Sequence, residues 1–168
     1  MSNPASSLGV ALLALAGGAF CVPALAACKQ ELAVYAEPDA KSSLEFRPSG
    51  APAASNEFKL VFAENDIVLD GIVMWTDGVA RPFGMLMHKC PEGDVTGEEL
   101  AACTVWQGVV YAVDAAGKVG LLAAEGSDAA AQLVFPDLGP ALRQSSVYGM
   151  SGITKLPWDA FALAGCQE

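Results

Sequence analysis

Residues 58–78 read FKLVFAENDIVLDGIVMWTDG, and this stretch decides the fold class. Three runs within it, Phe58–Phe62, Ile67–Leu69 and Ile72–Trp75, are short and rich in β-branched or aromatic residues. Turn formers separate or close them: Glu64-Asn65-Asp66, Asp70-Gly71 and Asp77-Gly78. Such runs read as strands, because branched and aromatic side chains suit a pleated surface, whereas a helix needs a longer stretch with apolar positions every three or four residues. Asp77-Gly78 suits a two-residue turn with positive φ and predicts a hairpin onto Phe83–His88. Asp70-Gly71 reads either as a second turn or as a bulge in one strand over 67–75. Pro82 requires that its strand start late or lie at an edge.

Working towards the N-terminus, Leu32–Tyr35 forms a first strand, and Pro38, Pro48, Gly50 and Pro52 mark the rest of 36–57 as loop. Towards the C-terminus, Thr96-Gly97-Glu98-Glu99 matches a capping box and predicts a short helix over 97–102. Thr104–Val113 and Lys118–Leu122 flank Asp114-Ala115-Ala116-Gly117, a turn with glycine in the left-handed position, so a second hairpin is expected. Residues 128–135 fit neither period. Ala141–Gln144 adds a helical turn after the Pro136–Pro140 punctuation, and Trp158–Cys166 closes the chain as a strand. The expectation is a mainly β fold: an antiparallel barrel or sandwich of about seven strands with one or two short helices.

The chain opens with features of an export signal. Leu8–Phe20 is apolar and too short to span a bilayer, and Ala24-Leu25-Ala26 supplies the small-x-small pattern of a cleavage site between Ala26 and Ala27. Residues 1–26 therefore read as a cleavable signal peptide, although no Lys or Arg precedes the apolar run. Residues 27–168 read as a single exported β-rich domain, periplasmic or secreted. Leu25-Ala26-Ala27-Cys28 also fits a lipobox, which would make the protein lipid-anchored through Cys28.

Cysteine parity favours the soluble alternative. Cys28, Cys90, Cys103 and Cys166 remain after cleavage, an even set suited to an oxidising compartment. Cys90 and Cys103 bracket a local loop, and Cys28 and Cys166 pair by elimination. No Cys-x-x-Cys suggests redox chemistry.

All charged residues lie at or beyond Lys29, and the net charge is −10. Such a surface repels nucleic acid and anionic membranes, because phosphates would meet carboxylates. It keeps a domain in solution or draws a cationic protein or peptide.

Candidates for chemistry are few. His88 is the sole histidine and sits in Met85-Leu86-Met87-His88-Lys89-Cys90, whose sulfur atoms suit Cu(I). On a strand, however, Met85 and Met87 face one side while His88 faces the other with Leu86 and Cys90, so a copper site would need Met74 or Met150 as well. Ser151 lacks the Gly-x-Ser-x-Gly elbow. Asp66, Asp70 and Asp77 lie close along the chain and could form a carboxylate pair, though turns favour aspartate for its own sake. Neither a calcium-loop spacing nor a glycine-rich phosphate loop occurs. Trp75, Trp106 and Trp158 read as core anchors, or as a binding patch if exposed together. The resulting expectation is a non-catalytic periplasmic or envelope binding module for a protein, peptide or cationic ligand, with no catalytic, cofactor or metal residues. The alternatives are a copper-binding protein using Met85 and Met87, or a small carboxylate-based hydrolase.

Overall fold

The structure, a computed structural model, describes residues 28–168 apart from Ala40, Asp77 and Val79. The expected signal peptide and its expected cleavage point between Ala26 and Ala27 lie outside the described residues, as does Asp77 of the expected hairpin turn.

Among the described residues, ten strands form one antiparallel sheet: β1 (Ala33–Ala36), β2 (Ser42–Arg47), β3 (Asn56–Phe62), β4 (Val68–Trp75), β5 (Pro82–Met87), β6 (Thr104–Val109), β7 (Tyr111–Val113), β8 (Val119–Leu121), β9 (Gln132–Val134) and β10 (Ala160–Cys166). Two short helices, α1 (Gly97–Cys103) and α2 (Leu138–Gln144), lie among them. The strand order is β6-β5-β4-β3-β2-β1-β10-β9-β7-β8. Because β6 and β7 are one stretch of chain interrupted at Val110, the sheet curls back on itself as a half-barrel.

Alternation fills the inner face. Burial alternates along β2, β3 and β4 as far as Met74, so Leu44, Phe46, Phe58, Leu60, Leu69 and Val73 point inward. Aromatic rings then bridge the two halves. Phe46 stacks on Phe58 at 5.1 Å, Phe58 meets Phe135 edge-on at 5.6 Å, and Phe135 contacts Trp106 at 5.2 Å and Phe161 at 5.9 Å. Offset and edge-to-face pairs of this kind each add about 0.5–1.5 kcal/mol beyond the area they bury.

Four features depart from the sequence reading. Residues 42–47, expected as loop, form β2, because Leu44 and Phe46 alternate with Ser and Glu beneath the flanking prolines. Residues 132–134 form β9, and Val110 divides the single expected strand 104–113 into two, so ten strands replace about seven. Asp70-Gly71 is neither turn nor bulge: β4 runs without a register shift against β3 and β5. Glycine stands at 71 because a Cβ there would enter the Phe58 ring. Pro82, as expected, begins its strand.

α1 begins with the expected capping box. The Glu99 N–H donates to the Thr96 hydroxyl at 3.3 Å, while Glu99 accepts from the Thr96 N–H at 2.9 Å. α2 is capped from a distance. Asp159 accepts from the N–H groups of Asp137 and Gly139, and Pro140 sits in the first turn, where no backbone donor is needed.

Both expected disulfides are present. Cys28–Cys166 joins the start of the described chain to the end of β10, with Cα atoms 5.7 Å apart. Cys90–Cys103 closes the loop carrying α1, with Cα atoms 5.2 Å apart. Structural disulfides of this kind belong to oxidising compartments. No helix among the described residues is long and apolar enough to cross a membrane.

Candidate functional site

Several carboxylates hold loops. Glu37 accepts from the backbone N–H groups of Lys41 and Trp158, each at 3.0 Å. Glu57 gathers the N–H groups of Gly50 and Ala51 and the Ser49 hydroxyl, and also pairs with Arg47 at 3.3 Å. Glu64 takes the N–H groups of Thr154 and Lys155, Glu31 that of Gly126, and Glu125 that of Ser49. Asp114 closes the β7–β8 turn by accepting from Ala116 and Lys118. These groups join segments up to 121 residues apart, as in the Glu37–Trp158 contact.

A groove of about 700 Å³ follows β6. Gly97, Leu100 and Ala101 of α1 form one wall, with Met85 beside them. Ala141, Gln144 and Ser145 form the opposite wall, continued by Pro136 and Asp137. Thr104–Gly108 make the floor, where Val105 and Trp106 are both buried because a register shift interrupts alternation. Trp106 is pinned by its indole N–H, which donates to the Pro136 carbonyl at 2.9 Å.

Asp137 is the one titratable side chain lining the groove, and no Lys or Arg does so. Beside the groove, the loop between Cys90 and Cys103 carries Glu92, Asp94, Glu98 and Glu99 without a basic residue. All four are exposed, and Glu99 is also engaged in the capping box. A second hollow, of about 550 Å³, is lined chiefly by small residues, among them Ala112, Gly120 and Ala129–Ala131. Its charges are mixed, Lys118 standing with Asp114 and Asp128.

The residues singled out from sequence do not gather. Met74, Met85 and Met87 share the outer face of β4 and β5, but the register sets them opposite Phe83, Ile72 and Asp70 respectively. At a rise of about 3.4 Å per residue, the rows of Met74 and Met87 stand about 14 Å apart, too far for one ion. Met150 is wholly exposed in a separate turn. His88 donates its backbone N–H to the Cys103 carbonyl, and its Nδ1 is buried without a hydrogen-bond partner. Among the described residues no three of His, Cys, Asp and Glu are placed to hold a metal ion.

Asp70 lies 3.6 Å from Arg47, Asp66 is exposed in the β3–β4 turn, and Asp77 lies outside the described residues. Ser151 is exposed in a turn. The tryptophans also separate. Trp106 is in the core, while Trp75 (48% exposed) and Trp158 (60%) sit at opposite ends of the sheet. Trp75 follows the Asn56–Val73 row, whereas Trp158 binds Glu37 beside the Ser42–Phe62 row.

Gln107, Asp137, Gln144 and Ser145 escaped the sequence reading because they come from elements distant along the chain. The available signal was Thr104–Val109 itself, an uncharged strand immediately after an acidic, disulfide-closed loop. Comparison with family models, with curated proteins and with solved structures finds no match to this chain.

Proposed function

We propose that this protein is a non-catalytic binding module of the periplasm or cell envelope that recognises a cationic protein or peptide. The observation that carries the reading is the groove along β6: it has one carboxylate and no basic side chain in its lining, and four further carboxylates lie in the loop beside it. In a chain of net charge −10 this arrangement favours positive partners and accelerates their encounter. The non-catalytic part is supported by the same lining. Proton transfer at a reacting group usually needs a base and an acid placed around it, and Asp137 stands there with only amides and hydroxyls.

The oxidised, exported protein is immobilised and offered purified extracellular proteins graded by net charge. Basic proteins should be retained at low salt and released by about 0.5 M sodium chloride, since exposed charges are screened at that ionic strength. Retention independent of charge, or of no basic protein, overturns the reading.

A further inference from the structure

The two ends of the sheet are unlike. β8 is three residues long and preceded by Lys118, features that discourage another strand from adding to it. β6 is six residues long with a bulge at Val105, but beyond it Trp-Gln-Gly-Val has neither charge nor proline to protect it. Thr104–Gly108 line the groove between α1 and α2, while Val109 lies just beyond it, beside Phe83 and Arg81.

The ladder fixes which backbone groups point away from β5. Val110 donates its N–H to the Pro82 carbonyl at 3.2 Å, so residue 110 faces β5. The register pairs Gly84 with Gly108, Met85 with Gln107 and Phe83 with Val109. Hydrogen-bonded and non-hydrogen-bonded pairs alternate in an antiparallel ladder, so Gly108 also faces β5 while Gln107 and Val109 turn their N–H and C=O groups away. β6 ends the sheet order, so no strand among the described residues receives them.

We infer that the partner binds by adding an extended, basic segment to the free edge of β6, an inference that rests on the binding reading above. Backbone pairing to Gln107 and Val109 supplies register. Alternate side chains of the added segment fall towards the two walls, one offering Met85, Leu100 and Ala101 and the other Ala141 and Pro136. Charge selects the occupant. Asp137 and the Glu92–Glu99 loop attract lysine and arginine, whereas a second copy of this chain would bring another net charge of −10 to the same edge.

The probe is an acetylated nine-residue peptide of alternating lysine and valine, titrated into the oxidised, exported protein. Binding should slow amide exchange at Gln107 and Val109 by about tenfold or more. Two further peptides, N-methylated on alternate residues in either phase, should differ by about tenfold in affinity, because an added strand uses only every second N–H towards its neighbour. Gln107→Pro should weaken binding to a similar extent while leaving the melting temperature near that of the parent, since proline is tolerated where the N–H faces away from the sheet.

Equal affinity for both methylated peptides, or no added protection at Gln107 and Val109, overturns strand addition while leaving recognition of cationic peptides in place. If Gln107→Pro does not fold, the methylated peptides decide on the parent protein. Equal binding of a glutamate–valine peptide overturns the selection by charge. Protection that rises with protein concentration alone makes a second copy the occupant and overturns the proposal. Failure of every peptide together with every basic protein removes the functional reading as well.

Discussion

Glu37 is a carboxylate at 3% exposure whose two oxygens each receive a backbone N–H, from Lys41 in the β1–β2 turn and from Trp158 just before β10. Read as a letter, it was one more contributor to an acidic, solvated surface. Its role depends on a partner 121 residues away, which composition and spacing cannot reveal. Glu57, Glu64, Glu31 and Glu125 repeat the pattern, each holding a segment that lacks regular structure of its own. Truncating Glu37 to alanine leaves two donors without their acceptor, a loss of about 1–3 kcal/mol because hydrogen bonds to a charged acceptor are among the stronger ones. Glu37→Gln keeps a single acceptor oxygen and should fall between the parent and Glu37→Ala. Urea unfolding checks this: the midpoint should drop in the order parent, Gln, Ala with unchanged slope. Equal midpoints for all three would mean that water replaces the carboxylate at no cost.

Strands dense in branched residues announced themselves; sparse ones did not. β3, β4 and β5 were legible because their apolar runs carry the signal without help, and α1 because a capping box is a local device. β2 was not, since Leu44 and Phe46 alone alternate between Pro38 and Pro48, and pairing with β1 and β3 decides its conformation. The groove was illegible for a related reason: α1, β6 and α2 converge only after the sheet curls, and the residues between Gln107 and Asp137 contain three more strands. The disulfide pairing was legible from parity and spacing, and it permits a comparison between elements. Loop-closure entropy grows with the logarithm of loop length, so the bridge across a separation of 138 residues should stabilise by about 5 kcal/mol and the one across 13 by about 3 kcal/mol. Cys28→Ser with Cys166→Ser should therefore lower the urea midpoint more than Cys90→Ser with Cys103→Ser. The reverse order would mean that the local bridge acts by holding α1 against β5 and β6 in the folded state, and that the terminal bridge restrains little.

A net charge of −10 and a set of carboxylates that hold loops pull the stability of the whole protein in opposite directions as pH falls. From neutral pH towards about 5, ordinary surface carboxylates begin to take up protons and self-repulsion eases, which favours the compact state. The loop-holding groups respond later and with the other sign. The N–H groups of Lys155 and Thr154 hold the Glu64 carboxyl below its ordinary 4.5, and the Gly126 N–H does the same for Glu31. Burial pushes Glu57 up, but the N–H groups of Ala51 and Gly50 outweigh it and leave that carboxyl lowered too. A group whose pKa is lowered by folding contributes stability that is complete above its unfolded value and lost as pH falls through the folded one. The melting temperature should accordingly rise on going from pH 8 to about 5, pass through a maximum, and fall below about pH 4.5. Adding about 0.5 M sodium chloride should raise it at pH 8 and have little effect near the maximum, because screening then has little repulsion left to remove. The variant combining Glu31→Gln, Glu57→Gln and Glu64→Gln isolates the second effect. At pH 7 it should melt below the parent, since glutamine accepts these N–H groups less strongly than a carboxylate. As the parent's own carboxyls become protonated the two curves should converge. Curves that run parallel down to about pH 3 would show that the three carboxylates contribute no linkage, and would assign the acid limb to other groups.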